Sequence, residues 1–266
     1  MTPQLTGRFG LVNGARRVVA YDLRLYRRGW RGTVVSSLLS PVLFLGAIGL
    51  GLGGLVNRSS GGVGGVPYLL FLAPGLLAAS AMQTSLFLST YPIMARIKWL
   101  RTYEAMLATP VTVGDLLAGE LVWMTLRLLQ GATVFLAAMA LFGAIRSPLG
   151  VLALPAAVLT GLAFACPITA FSATQRTDSG FTVLQRLVIM PLFLFGGAFF
   201  PLDRLPGALQ AAAWVTPLAH GVALTRGLTL GTLTAGPAVL HVAVLLAYTV
   251  AGIVGGSVAL RRRLAE

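Results

Sequence analysis

Runs of about 20 apolar residues recur along this chain, and each is long enough as a helix to cross roughly 30 Å of hydrocarbon. That single feature excludes most soluble folds. The composition agrees: 56% of the 266 residues are hydrophobic, only 10% are charged, and the mean hydropathy is +0.85. A soluble domain is far less apolar and carries more charge. The chain therefore reads as one all-α polytopic membrane domain, with no separate soluble domain.

Six transmembrane helices are expected, over about 34–56, 67–91, 116–143, 151–173, 181–200 and 237–260. Residues 1–33 form a basic segment in which Val12, Val19, Leu23, Tyr26 and Trp30 make one helical stripe. Arg17, Arg24, Arg28 and Arg31 lie away from that stripe, and Arg16 and Arg27 near it, where they would have to snorkel. This predicts an amphipathic N-terminal helix lying in the membrane interface. The segment PLDRLPGALQAAAWVTPLAHG, 201–221, is punctuated by Pro201, Pro206 and Pro217 and is too short to cross, so short re-entrant helices are expected over about 201–220.

Charge orients the bundle. Lys and Arg number seven in residues 1–33, three between Pro92 and Pro110, two at Arg176 and Arg186, and three in RRRLAE, against four in the alternate loops. The positive-inside rule then puts both termini in the cytoplasm. The net charge of +13 belongs to flanks facing anionic lipid, which argues against nucleic acid as a partner. The N-terminal segment carries no small-residue cleavage site after its apolar run, so no cleavable signal is expected.

Catalytic chemistry is sparse. The only lysine, Lys98, follows Arg-Ile rather than a glycine-rich loop, so this chain has no phosphate-cradling P-loop. Cys166 is alone and mid-span, a packing residue. His220 and His241 stand apart in sequence and suggest no metal cluster, and no serine sits in a nucleophile elbow. No catalytic, cofactor or metal residues are expected. A membrane-bound transferase lacks its constellation.

Charge inside hydrocarbon costs about 2.5 to 3.5 kcal/mol per group unless it is paired or wet. Glu120 and Arg127, seven residues apart in the third span, share a face about 10 Å apart. They are intramembrane polar candidates for a pathway, together with Gln185 and Arg186 near the start of the fifth span, which also suit interfacial anchoring. Glu120 could instead carry protons in a secondary transporter, although no second buried acid is apparent for a relay. Gly49 and Gly53 in the first span, and Gly196 and Gly197 at the end of the fifth, allow close helix packing.

The run RTYEAMLATPVTVGDLLAGE, Arg101–Glu120, holds three of the seven acidic residues. Between Pro92 and Pro110 there is room for roughly three helical turns, with Arg101 and Glu104 as i,i+3 neighbours and Asp115 capping the third span. A bare connector is a few polar residues, whereas this one reads as a docking surface for another protein.

YEAMLATPVTVGDLLAGE resembles the signature cytoplasmic loop of ATP-binding-cassette type-2 exporter permeases. The likeness is nearest to the NodJ branch, the permeases of lipo-oligosaccharide export, and to DrrB-like drug exporters. It extends to the late segment FFPLDRLPGALQAAAWVTPLAHGV. The resemblance implies a non-catalytic transport subunit in a bacterial cytoplasmic membrane, paired with a second permease (its own copy or a sister). Each permease would dock one ATPase subunit, and ATP and Mg would be bound by that partner. It makes Arg96–Leu107 the coupling element, with Arg96, Lys98, Arg101, Glu104 and Leu107 as its contacts. It also implies that the short outer helices close the extracellular side, with Phe199, Phe200, Trp214 and His220 as gate candidates, and that substrate passes beside the first and fifth spans. The expected cargo is amphipathic or lipid-linked: a lipo-oligosaccharide, a glycolipid or a hydrophobic drug. The aromatic belts of polysaccharide-exporting relatives are not evident.

Overall fold

A computed structural model describes residues 10–63 and 65–265, and the side chains of residues 10–12, 33–38, 40, 49, 50, 60 and 265 are not among those described. The packing expected of Gly49, and Val12 in the basic segment, fall outside it. Among the described residues every regular element is helical, apart from a lone antiparallel pairing of Val63 with Val66.

Helix α1, Gly10–Phe44, runs without interruption from the basic segment into apolar sequence. It loosens into π-helical turns over Leu45–Leu52, where LGAIGLGL supplies three glycines just after the in-helix Pro41, and continues as α2, Gly53–Ser60. The stretch apolar enough to cross is Pro41–Ser59, later than the expected start at 34. Gly61, at φ 67°, ends α2 in the left-handed region, and the Asn57 Oδ1 accepts the Tyr68 amide at 2.9 Å to start the next helix.

Helix α3, Tyr68–Ser89, is mostly apolar with no single polar face and is buried along most of its length, as a central helix must be. The expected end at Tyr91 is overrun. After a kink at Thr90 the chain continues as α4, Tyr91–Met94, and π-helical Ala95–Trp99, so the apolar run extends to Trp99 and carries Arg96 and Lys98 on it. Arg101, at φ 50°, breaks the path, and α5 covers only Thr102–Leu107. The single coupling helix expected over Arg96–Leu107 is thus two pieces joined at Leu100–Arg101.

Helix α6, Val113–Leu141, starts in a reciprocal capping box. The Thr112 hydroxyl accepts the Asp115 amide at 3.2 Å, and Asp115 Oδ2 accepts the Thr112 amide at 2.8 Å. Thr112, rather than Asp115, is the N-cap; such a cap contributes about 1 kcal/mol.

A short 3-10 turn, Pro148–Leu152, leads into α7, Ala153–Thr174. Helix α8, Ser179–Val183, passes through π-helical Leu184–Ile189 into α9, Met190–Phe195. That apolar stretch is shorter than the other spans, and it stops at Gly196 and Gly197, the latter at φ 83°. Helices α10, Gly207–Val215, and α11, Pro217–Leu230, follow. At 14 residues α11 is about 21 Å long, too short to cross, and it reaches beyond the expected limit at 220. Helix α12, Ala235–Ala265, closes the chain.

Among the described residues five helices are long and apolar enough to cross a membrane. Helix α7 lies at the centre, packed against α3, α6, α11 and α12, while α1 runs beside α6. A close helix crossing is made where Gly252 of α12 meets Pro167 and Cys166 of α7, leaving no room for a Cβ.

Candidate functional site

Helices α1 and α6 run in step because small residues let their backbones approach. A Cβ on Gly14 would overlap the Asp115 carboxyl, and one on Gly119 would stand 2.5 Å from Val18 Cβ. Gly14, Val18, Asp22 and Tyr26, each four residues apart, therefore form the ridge facing α6. Of the expected stripe, Tyr26 lies on this ridge, whereas Leu23 and Trp30 lie off it, exposed at 44% and 47%, and Val19 is half-buried.

That ridge carries an acid into the interior. Asp22 and Glu120 are buried at 1% and 3% exposure, and both bond the guanidinium of Arg96. Arg96 Nη1 also donates to Asp22 Oδ2 at 3.2 Å. The Tyr103 hydroxyl, fully buried, donates to Glu120 Oε1 at 2.9 Å. Burial lifts the Asp22 carboxyl above its ordinary value, and the Arg96 hydrogen bond and charge pull it back. Burial, and then the Glu120 carboxylate, hold the Tyr103 phenol well above its usual value, so it remains a hydroxyl donor. Four residues thus join α1, the extension of α3, α5 and α6 in one ionic joint.

The joint revises two expectations. Glu120 is accompanied by a second buried acid, Asp22, which sequence spacing placed on no particular face. Arg96 is largely enclosed rather than offered to a partner. A cavity of about 280 Å³ opens beside it, lined by Asp22, Tyr26, Arg96, Glu120, Trp123 and Arg127. Arg127 sits over the Tyr26 ring at 4.7 Å and donates to Gln130 Oε1 at 2.9 Å, while Tyr26 and Gln130 bond each other. It both lines a cavity and ties α6 to α1.

Of the other coupling candidates in the 92–110 segment, Lys98, Arg101 and Glu104 are exposed, while Ile93, Met94 and Ile97 beside them are buried in the core. Lys98 Nζ donates to the Arg176 carbonyl at 3.0 Å, binding this segment to the next loop. Arg101 and Glu104 form the i,i+3 pair expected of them, at 3.9 Å and well exposed. Leu107 packs partly into the core below. At the break, Trp99 and Leu100 are exposed at 55% and 69%, an apolar knob between charged neighbours.

Farther along the same helices lies a second cavity, about 290 Å³, bounded by Pro41 and Phe44 of α1, Phe87 of α3, Phe135 of α6 and Phe193 of α9. Gln185 and Arg186 line another, of about 210 Å³, with Thr90, Tyr91 and Phe181.

At the opposite end of the bundle from the joint, His220 and His241 come together despite their separation in sequence, Nδ1 to Nδ1 at 2.9 Å. His220 Nε2 donates to the Trp214 carbonyl at 2.8 Å, which leaves its Nδ1 as the acceptor of the pair. Trp214 stacks on His241, and Tyr248 bonds the Val215 carbonyl at 2.8 Å, so α10 is pinned to α11 and α12. Phe199 and Phe200 meet Phe193 and Phe195 edge-on. Gly196 is tightly packed against Leu218, whereas Gly53 meets Tyr68 at ordinary contact distance. Arg226, one of the four cations counted above in the alternate loops, is half-buried against Phe71 and donates to the carbonyls of Phe71, Gly197 and Ala198. Among the described residues no group of three or more potential metal ligands occurs.

The profile of the ABC-2 type transporter family matches residues 15–230, which contain the joint, the 92–110 segment and helices α10 and α11. The chain belongs to that family. The permease is 39% identical over 243 residues to nodulation protein J of Rhizobium leguminosarum bv. trifolii, covering 88% of this chain and 89% of the relative. It is 37% identical over 235 residues to nodulation protein J of Rhizobium meliloti (strain 1021), covering 87% of each. It is similar, at 24% identity over 205 residues, to the inner membrane transport permease YadH of Escherichia coli (strain K12), with 77% and 78% covered. It is an integral membrane protein and a transport permease of this family.

Proposed function

We propose that this permease is the transmembrane subunit of an ABC exporter in a bacterial cytoplasmic membrane, moving an amphipathic or lipid-linked substrate outward. ATP is hydrolysed, with Mg, by a separate nucleotide-binding subunit, and a second permease, a copy or a sister, completes the pathway. Both termini are cytoplasmic and the chain crosses six times, the remaining crossing being Ser179–Phe195, whose 17 residues meet the lower limit for a span. The resemblance of the loop to the NodJ branch supports a lipo-oligosaccharide, a glycolipid or a hydrophobic drug as the cargo.

The observation that carries this reading is that the same three helical runs hold both the ionic joint and the phenylalanine cavity. Helix α1 brings Asp22 and Phe44, the α3 run brings Arg96 and Phe87, and α6 brings Glu120 and Phe135. Arg96 stands about 20 Å along the helix from the cavity residue Gln83. Movement of the 92–110 segment against the ATPase, gripped through Trp99, Leu100, Lys98, Arg101, Glu104 and Leu107, is therefore passed by a rigid ionic clamp to the walls of the cavity. The bundles rock between inward-open and outward-open states. Phe199, Phe200, Trp214 and His220 close the outer end.

The alternative, a proton-coupled carrier, gains Asp22 beside Glu120, but Arg96 holds both acids in ion pairs. The docking half of the proposal is tested by Glu104→Lys. Glu104 is exposed and its removal disturbs no buried contact, so the variant should insert and fold normally while capturing at least severalfold less ATPase subunit in pull-downs. Full capture with full transport would remove Glu104 from the docking surface.

A further inference from the structure

Within the phenylalanine cavity, three polar side chains of α3 face the lumen: Ser80, Gln83 and Thr84. Ser80 is satisfied, its hydroxyl donating to the Leu77 carbonyl at 2.8 Å. Gln83 and Thr84 differ: among the described residues no hydrogen bond engages the Gln83 carboxamide or the Thr84 hydroxyl. Gln83 is midway along the apolar run Tyr68–Trp99, within the part read as a membrane span. An amide left unpaired there is costly, and such residues in a membrane helix mark a pathway or a partner. Among the described residues no charged side chain lines the cavity, which continues past Thr84 into a smaller one of about 130 Å³ against α6.

Resting on the exporter reading above, we infer that Gln83 and Thr84 form the recognition site for a neutral hydrogen-bonding group, an amide or hydroxyl, of the transported amphiphile. The carboxamide offers both a donor and an acceptor, and the hydroxyl does the same, so an amide or a pair of hydroxyls is matched from two sides. Phe44, Phe87, Phe135 and Phe193 hold the attached acyl chain, and Phe87, 70% exposed, stands at the mouth. A carboxylate or ammonium head finds no counter-ion here and is disfavoured.

The test uses the full chain in nanodiscs and two photoactivatable probes sharing one dodecanoyl chain with a diazirine, one ending in an N-acylglucosamine head and the other in a free carboxylate. Crosslinks of the neutral probe should map to peptides carrying Phe44, Phe87, Phe135 or Phe193, exceeding those of the carboxylate probe by roughly three- to tenfold. Gln83→Leu should erase that preference while keeping or raising the melting temperature, because it removes an unpaired amide. Equal labelling by the two probes, a preference that survives Gln83→Leu, or a lowered melting temperature in that variant overturns the inference. So does a photoreactive residue at position 87 that crosslinks to a second copy of the chain across the groove instead of leaving it open. Labelling of the groove without head preference leaves the exporter reading intact, whereas transport that needs no ATPase sinks that reading without altering the labelling pattern.

Discussion

Arg96→Leu should abolish ATP-driven transport and destabilise the protein by about 3–5 kcal/mol, because it leaves Asp22 and Glu120 buried without their shared cation. The apparent melting temperature in detergent should fall on the order of 10 °C. The pH dependence distinguishes this cause from lost packing. Burial already raises the Asp22 carboxyl above its unfolded value, and deleting Arg96 removes the two influences that lower it. An acid with a raised native value binds its proton more tightly when folded, so its favourable contribution is present at low pH and is lost as pH rises through that native value. The defect of Arg96→Leu should therefore shrink between pH 8 and pH 5. Adding Asp22→Asn and Glu120→Gln to Arg96→Leu should restore most of the stability, since no buried charge remains, but not the transport. Recovery of both would reduce the cluster to structural glue, and an unaffected Arg96→Leu would remove it from the account.

Gly252→Leu should be at least as damaging to assembly. A Cβ at this position would overlap Pro167 N and stand 2.5 Å from Pro167 Cδ and 2.6 Å from Cys166 C, all backbone or ring atoms that cannot rotate away. Overpacking ordinarily costs 1–3 kcal/mol, and about 3 kcal/mol or more is expected here because helices α7 and α12 must separate. Pro167 contributes twice: it frees a carbonyl in α7 and presents the ring that α12 must approach. Gly255 supplies the control on the same helix, since its added Cβ would meet Ala170 Cβ at an ordinary 3.5 Å, and Gly255→Ala should leave stability unchanged or slightly higher. Thermal aggregation followed by size-exclusion chromatography reads both variants. A Gly252→Leu protein as stable as the parent would contradict the α7–α12 crossing.

The membrane class, the helical architecture and the family were legible because hydropathy and the loop YEAMLATPVTVGDLLAGE are local signals. Three features were not, each for a physical reason. Asp22 lies among arginines, and only its four-residue spacing from Val18 and Tyr26 betrays that it faces α6; a stripe drawn through Leu23 and Trp30 points elsewhere. Arg96 looked like a surface cation of a loop because the apolar run was ended at Tyr91, whereas the helix continues to Trp99 and carries the guanidinium into the bundle. His220 and His241 are 21 residues apart and meet only because α11 folds back against α12. Glycine was the opposite case. GxxxG spacing drew attention to Gly53, which meets Tyr68 only at ordinary contact distance, and to Gly49, whose packing lies outside the described residues; Gly196 is tight as expected, and close approaches also fall on Gly14, Gly119 and Gly252, where the partner helix rather than the local pattern decides which glycine is needed.

The measurement that bears most directly on the central claim is flux of a fluorescent N-acylglucosamine amphiphile in proteoliposomes, with and without the nucleotide-binding subunit. The permease joined to its ATPase should move the probe on addition of MgATP, and Arg96→Leu should lose that movement while a pH gradient alone moves none. Probe movement by the permease alone, driven by a pH gradient and lost in Glu120→Gln, would contradict it.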